Sequence, residues 1–218
     1  MKKITFFLLL FMLTSSYQLL AQQRPFWNEI QNFKKQDSIQ APPSNAILFI
    51  GSSSFTMWRD VKDYFPGHTI INRGFGGSSL PHLITYFDDV VKPYNPKQVV
   101  IYCGENDLTV DTVQPHHVLQ RFTQLFNMIK QTYPAVPVAF ISIKPSPSRA
   151  NLMQRMELSN QLIRLFLAKQ ANTHYINVYN DMLVNGKPDP KLFIGDNLHM
   201  NAKGYAIWQK QIEPLLKK

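Results

Sequence analysis

The chain has 218 residues, a formal net charge of +9 at neutral pH and one cysteine. A single cysteine excludes an internal disulfide, so the fold must be held by its core. The basic residues are scattered, and no basic patch with aromatic or groove-reading elements accompanies them, so we expect no nucleic-acid partner.

The first residues have the features of a secretory signal. Lys2 and Lys3 form a basic n-region, an almost wholly apolar stretch follows, and the small residue Ala21 precedes two glutamines. Polar residues from Thr14 onward make the apolar run too short for a permanent membrane span. We therefore expect a signal peptide over residues 1–21 and an exported protein, periplasmic or secreted, without a stable membrane anchor. An uncleaved anchor is the alternative.

Residues 22–218 are expected to form one domain, because they suffice for a substantial core and no linker or repeat divides them. Short apolar runs predict five strands that are buried on both faces: Ala46–Ile50, Thr69–Asn72, Gln98–Tyr102, Val136–Ile143 and Tyr175–Val178. Intervening amphipathic stretches predict helices at Phe26–Gln40, Phe55–Tyr64, Leu80–Val91, Val118–Thr132, Arg149–Gln170 and Ala202–Leu215. This alternation predicts an α/β protein, a three-layer α/β/α sandwich with a five-stranded parallel sheet, flavodoxin-like.

Two of these helices carry apolar residues at helical spacing, which predicts their buried faces. In the helix Val118–Thr132, the predicted buried face comprises Phe122, Leu125, Phe126 and Ile129. In the helix Arg149–Gln170, it comprises Leu158, Leu162, Leu165 and Phe166.

Four polar segments interrupt the pattern in a fixed order. They are Gly51-Ser52-Ser53, Asn72 to Gly77, Gly104-Glu105-Asn106-Asp107 and Asp196-Asn197-Leu198-His199. In such sheets, ligands bind at the carboxyl ends of the strands, where these segments fall. Together they supply a nucleophile, oxyanion donors and an Asp–His pair, which is the set needed for acyl transfer.

The first segment offers Ser52, Ser53 and Ser54 as nucleophiles at the start of a helix, where free amides favour developing negative charge. The spacing alone does not choose among them, and at least one is expected to cap the helix. A phosphate-binding loop of flavodoxin type is the alternative interpretation.

The second segment has three glycines in four positions, so its backbone can approach a ligand and present amides. A flexible turn capped by Ser78 or Ser79 is the alternative. In the third segment, Asn106 can aim its side-chain amide at an oxyanion, whereas Asp107 is expected to order the loop. Cys103 is expected to be a buried structural thiol.

In the fourth segment, Asp196 precedes His199 by three residues and can accept the proton on Nδ1, leaving Nε2 free to take a proton from serine. Asn201 is expected to cap the closing helix. The remaining histidines lack such a context and are expected to lie at the surface or in packing. His116 and His117 are not expected to hold a metal, because adjacent residues on a helix face different directions.

The order and spacing of the four segments resemble the SGNH-hydrolase superfamily, the GDSL-type esterases and lipases with their platelet-activating-factor-acetylhydrolase-like members. The resemblance spans Ile47 to about Leu215. Ser53 matches the serine of the Gly-Asp-Ser block, which makes it the implied nucleophile. Ser52 stands where that block has Asp, a residue that is not the catalytic acid of the family.

The resemblance also implies the other roles. Gly77 lies five positions after Asn72, as the oxyanion glycine of the family does, and Asn106 matches the asparagine of the Gly-x-Asn-Asp block. Asp196 and His199 match the Asp-x-x-His block. The implied oxyanion hole is therefore the amides of Ser53 and Gly77 with the side chain of Asn106.

The resemblance implies a serine-dependent carboxylic ester hydrolase that works through an acyl-serine intermediate without metal or organic cofactor. The sequence shows no inserted lid, so we expect an open cleft for a short acyl group, most simply acetyl on a carbohydrate. A lysophospholipase or thioesterase for longer chains is the alternative, with Phe55, Trp58, Phe75 and Phe193 as possible lining. A non-catalytic glycan-binding module on the same fold is a further alternative.

Overall fold

The computed structural model describes residues 24–218, so the predicted signal sequence lies outside the described residues. A parallel sheet forms its centre. The strands are β1 (Ile47–Gly51), β2 (Ile70–Gly74), β3 (Gln98–Tyr102), β4 (Val138–Ile141) and β5 (Thr173–Ile176). Their order is β2-β1-β3-β4-β5, with every neighbouring pair parallel. This is the flavodoxin-like order of doubly wound sheets, and it confirms the predicted fold class.

Helices cover both faces of the sheet. They are α1 (Trp27–Ile39), α2 (Ser53–Thr56), α3 (Val61–Tyr64), α4 (Leu80–Thr85), α5 (Phe87–Val90), α6 (Pro115–Thr132), α7 (Met153–Leu167) and α8 (Ala202–Ile212). Alternation along β1 shows the two layers, because Leu48 and Ile50 join one apolar cluster with α1, α4, α5, α6 and α7. Ile47 and Phe49 join the other with α2, α3 and α8. Successive residues of β1 therefore face opposite cores.

The predicted strands are all present, with shifted ends except in β3. β1 and β2 start one residue later than predicted, β4 is shorter at both ends, and β5 begins two residues earlier than predicted. Burial on both faces is wrong for β5, where His174 is exposed and Thr173 and Tyr175 are half-buried. β5 is an edge strand, but the edge position alone does not expose it, since β2 at the opposite edge is buried at four of its five residues.

Two predicted helices are broken. The segment Phe55–Tyr64 is not one helix but contains the end of α2 and then α3, and the segment Leu80–Val91 divides into α4 and α5 at Tyr86. The long helix predicted from Arg149 begins instead with a 3₁₀ segment, Pro147–Leu152, in which Arg149 itself has non-helical dihedrals of φ −125° and ψ 27°. Regular α-helix starts at Met153.

The face prediction is confirmed for α6, where Phe122, Leu125, Phe126 and Ile129 are all buried. For α7 it is wrong at Leu158 and Leu165, which are 46% and 50% exposed. The buried face of α7 comprises Met156, Ser159, Asn160, Ile163 and Leu167. Asn160 holds its place by hydrogen bonds to the backbone of Ile143, 2.8 Å in both directions, so a polar residue occupies a position that hydrophobicity assigns to the surface.

A small hairpin lies outside the predicted elements. β6 (Leu183–Val184) and β7 (Lys187–Pro188) pair antiparallel around Asn185 and Gly186, both with positive φ as a type I′ turn requires. Across residues 24–218, no helix has the length and apolar character that crossing a membrane would demand.

Candidate active site

The end of β1 places Ser53 at the surface. Gly51 has φ +154°, and a Cβ there would lie 1.9 Å from the carbonyl oxygen of Tyr102, so only glycine fits where the chain leaves the sheet. Ser52 and Ser54 are 3% and 2% exposed. Ser53, the first residue of α2, is half-buried. Of the three candidate serines, the structure therefore presents Ser53.

The expected serine cap on this helix is wrong. Ser52 occupies the N-cap position of α2, but its side chain makes no capping hydrogen bond. The amide of Ser53 has no acceptor within the helix, because the first amides of any helix lack one.

The loop before α8 brings His199 to Ser53. Nε2 of His199 lies 2.9 Å from Oγ of Ser53, and Nδ1 lies 2.5 Å from Oδ2 of Asp196. Because a carboxylate can only accept, Nδ1 carries the proton and Nε2 of the neutral ring is the acceptor for the serine hydroxyl. The structure thus joins Ser53, His199 and Asp196 in one hydrogen-bonded row.

Hydrogen bonds from backbone amides hold the loop Asp196–His199, called the acidic loop below. Oδ1 of Asp196 accepts hydrogen bonds of 2.9 Å from the amides of both Leu198 and His199. Asn201 caps α8 as predicted, its Oδ1 accepting from the amides of Lys203 at 2.9 Å and Gly204 at 3.3 Å. Both side chains of the Asp–His pair are therefore oriented by their own loop.

Asp196 is held in its charged form. Burial works in the opposite direction, but the hydrogen bonds from the His199 side chain and from the amides of His199 and Leu198 outweigh it and lower the pKa of Asp196 to about 2. The side chain is also 42% exposed, so water supports the charge.

The glycine-rich loop lies against the N-terminal helix. Gly77 has φ +69°, and the neighbouring amide of Gly76 donates a 2.8 Å hydrogen bond to Oε1 of Glu29 on α1. Ser78 Oγ donates to the carbonyl of Gly51 at 3.0 Å, which joins this loop to the turn before Ser53. Sequence reasoning missed Glu29, because nothing in α1 distinguishes this acidic residue from a solvated one.

Asn106 follows β3 and has both ends of its amide engaged. Nδ2 donates to the carbonyl of Ser78 at 2.9 Å, and Oδ1 accepts from Nη2 of Arg149 at 2.9 Å. Sequence reasoning also missed Arg149, together with the buried pair Glu105 and Lys144 beneath it. The order of the four polar segments along the chain predicts a role for Asn106, but it gives no indication of which residues contact its side chain.

Two neighbours of Asn106 have the structural roles predicted for them. Asp107 is 1% exposed and accepts from the amide of Leu80 at 2.9 Å and from Arg121 at 2.7 Å, so it orders the loop and the start of α4. Cys103 is fully buried, and burial raises the pKa of its thiol well above the usual value. A protonated thiol of this kind is not a nucleophile.

Two of the remaining histidines of the described part of the chain have structural roles. His82 accepts the amide hydrogen of Ser79, the N-cap residue of α4, at 3.1 Å, and His117 accepts that of Gln114 at 3.0 Å at the start of α6. Among residues 24–218, no three His, Cys, Asp or Glu side chains are grouped to hold a metal ion.

Known proteins resemble this chain in sequence. A family model described as the GDSL-like Lipase/Acylhydrolase family matches residues 40–207. Platelet-activating factor acetylhydrolase IB subunit alpha2 of Rattus norvegicus is 23% identical over 178 residues, which cover 78% of this chain and 75% of that protein.

Two solved structures show the same fold. A GDSL-like lipase from Bacteroides thetaiotaomicron is similar with a TM-score of 0.71 at 20% identity, covering 85% of this chain and 95% of that one. A family 3 carbohydrate esterase from Clostridium thermocellum is similar with a TM-score of 0.60 at 17% identity, covering 79% and 97%.

Proposed function

The chain belongs to the GDSL-like lipase/acylhydrolase family, and we propose that it is an exported serine esterase that removes a short acyl group, most simply acetyl, from a carbohydrate. The observation that carries the proposal is the 2.9 Å approach of Ser53 Oγ to His199 Nε2, with Asp196 bonded to the other ring nitrogen. A nucleophile, a base and an orienting acid in this row are what acyl transfer requires.

In the proposed mechanism, His199 takes the proton of Ser53 as Oγ attacks the ester carbonyl carbon, and Asp196 stabilises the imidazolium that forms. The tetrahedral oxyanion accepts hydrogen bonds from the amides of Ser53 and Gly77 and from Nδ2 of Asn106. His199 then protonates the departing alcohol. Water attacks the acyl-serine by the same route and releases the acid, and no step uses a metal or an organic cofactor.

Packing of the aromatic residues supports a short acyl group. Phe55, Trp58 and Phe75 are fully buried and Phe193 is 6% exposed, so these side chains are committed to the two cores rather than to a long apolar channel. The names of two relatives point the same way, since one is an acetylhydrolase and another a carbohydrate esterase.

The longer-chain alternative, a lysophospholipase or thioesterase, rests on two exposed apolar side chains. Met57 and Ile194 are 41% and 39% exposed. The amide of Met57 donates to the carbonyl of Ser53 and that of Ile194 to the carbonyl of His199, each at 2.8 Å. An apolar rim beside both residues would suit an acyl chain lying on the surface.

Hydrolysis of p-nitrophenyl esters from acetate to palmitate by the mature protein tests both readings. We expect the rate to peak at acetate and the Ser53→Ala variant to lose roughly 10⁴–10⁶ in kcat. Ser52→Ala and Ser54→Ala are the matched controls and should keep most of the activity. A peak at eight carbons or more that is lost in Met57→Ser and Ile194→Ser would establish the longer-chain alternative.

Absence of hydrolysis for every ester by folded protein would favour the glycan-binding module instead. Acetylated polysaccharides are the next substrates to test after a peak at acetate, with released acetate as the readout.

Export is tested separately by the intact mass of the protein recovered from expressing cells, which should correspond to a chain beginning at Gln22.

A further inference from the structure

A buried ion pair lies beneath the site, and the proposed mechanism does not use it. Lys144 is fully buried and Glu105 is 4% exposed. Nζ of Lys144 lies 3.0 Å and 3.2 Å from the two carboxylate oxygens of Glu105, and Tyr102 donates to the same carboxylate at 2.6 Å. Burying two charges is costly, so a pair of this kind indicates a purpose other than stability.

Arg149 connects this pair to the oxyanion asparagine. Its Nη1 lies 3.4 Å from Oε1 of Glu105, while its Nη2 donates to Oδ1 of Asn106 at 2.9 Å. The side chain of Arg149 is only 18% exposed. Glu105 therefore fixes the guanidinium from one side, and the guanidinium contacts Asn106 from the other.

These contacts determine which way the Asn106 amide points. Arginine has donors only, so the atom facing it must be the carbonyl oxygen, and the carbonyl of Ser78 must face the nitrogen. The bond to Ser78 uses one of the two Nδ2 hydrogens. The amide is thus held in one flip state, and within residues 24–218 the other Nδ2 hydrogen has no acceptor.

The 3₁₀ segment Pro147–Leu152, which contains Arg149, also contacts the loop of Asp196 and His199. The amide of Ser148 donates a 3.1 Å hydrogen bond to the carbonyl of Asn197, which lies between Asp196 and His199. The residues around Arg149 therefore contact both the oxyanion side and the triad side of the site.

We propose that Arg149, anchored by Glu105 and Lys144, is a positioning residue of the oxyanion hole, which holds Asn106 so that its free N–H points at the reacting carbonyl oxygen. This rests on the proposed function for the identity of the reaction. The positive charge of Arg149 beside Oδ1 also polarises the amide and makes its N–H a stronger donor.

The test is a double-mutant cycle on p-nitrophenyl acetate. Arg149→Met should lower kcat roughly 10- to 100-fold, less than the 10²–10³-fold cost of losing an oxyanion donor outright, with little change in KM. In the Asn106→Ala background, the same substitution should cost no more than about 2-fold, because its effect acts through Asn106. Costs that multiply independently, or an unchanged kcat in Arg149→Met, would overturn the proposal.

Arg155→Met is the matched control, since Arg155 donates to the carbonyl of Val113 at 3.2 Å and does not contact Asn106. Its kcat should stay at the wild-type level. Arg149→Lys keeps the positive charge and one donor nitrogen, and its kcat should lie between those of Arg149→Met and the wild type. Unfolding curves of each variant separate loss of fold from loss of positioning.

A spectroscopic readout makes the proposal independent of turnover. The side-chain amide signals of Asn106 in ¹⁵N-labelled protein are assigned by their loss in Asn106→Ala. They should shift or broaden in Arg149→Met and remain in place in Arg155→Met. Signals unchanged in Arg149→Met would contradict the positioning role even if no ester is hydrolysed, whereas inactivity of the wild-type protein would count against the proposed function alone.

Discussion

The Asp196 loop and the Glu105 cluster each keep a carboxylate charged beside the site, by different means. The side chain of Asp196 is 42% exposed, and its hydrogen-bond donors come from His199 and from the backbone of its own loop. The side chain of Glu105 is 5% exposed. Its partners are Tyr102, three residues before it, and three side chains of one distant segment, Lys144, Ser146 and Arg149.

The two carboxylates therefore differ in what their removal should do to the stability of the fold. Water and local amides support the charge on Asp196, so its removal should affect the reaction and leave the fold intact. Buried and half-buried groups support the charge on Glu105. Burial alone would raise its pKa, but the charges of Lys144 and Arg149 outweigh that and lower the pKa. Its removal should therefore weaken the fold.

The largest effect is expected on the exposed side. Asp196→Asn should lower kcat roughly 10⁴-fold, because an amide in place of the carboxylate favours the wrong tautomer of His199. The free energy of unfolding should change by less than about 1 kcal/mol, as for exposed ion pairs. Steady-state kinetics and urea unfolding check both statements, with the exposed Asp111→Asn as the matched control. More than a tenth of the wild-type kcat in Asp196→Asn would break the comparison.

For the buried Glu105, the main expected effect is on the free energy of unfolding. Glu105→Gln should lower the free energy of unfolding by about 3–5 kcal/mol, because it leaves the charge of Lys144 buried without its partner. Adding Lys144→Met should recover most of that loss. Urea unfolding of the single and double variants measures it, and a Glu105→Gln protein as stable as wild type would show that the pair does not act as a unit.

Acid unfolding distinguishes the two carboxylates in one experiment. Folding lowers both pKa values, so each group contributes stability above its unfolded value, 3.8 for Asp196 and 4.5 for Glu105, that is lost as the pH falls through the folded value. For Asp196, that window runs from about 4 down to about 2. Between pH 6 and pH 2, the melting temperature should depend less on pH in Glu105→Gln than in Asp196→Asn. Solvent screens the exposed Asp196, so its loss changes this dependence less. The reverse order would refute the contrast.

The smallest effect concerns Glu29, a half-buried carboxylate between these extremes. Glu29→Gln should lower kcat about 2- to 10-fold with KM nearly unchanged, because a neutral acceptor binds the amide of Gly76 less strongly and holds the loop of Gly77 less firmly. Glu157→Gln on α7 is the matched control. Equal rates in the two variants would show that α1 does not position this loop.

Local patterns explain why much of the fold was predictable. Runs such as Ile47–Gly51 and Gln98–Tyr102 are apolar on both faces, so hydrophobicity alone locates them. Prediction was wrong where a polar residue replaced an apolar one in the core, as with Asn160 on α7. It was also wrong at the break at Tyr86, where no glycine or proline marks the end of a helix.

The sequence by itself determined the sheet and the Asp–His pair, because these depend on short-range patterns. Asp196 and His199 are three residues apart and share one loop, and Gly51 lets the chain pass close to the carbonyl of Tyr102 before Ser53. Only the tertiary structure decided which serine faces solvent, and only it joined Arg149 to Asn106 and Lys144 to Glu105. Those contacts span 43 and 39 residues, and their energy depends on exclusion of water by the whole core, which no local pattern records.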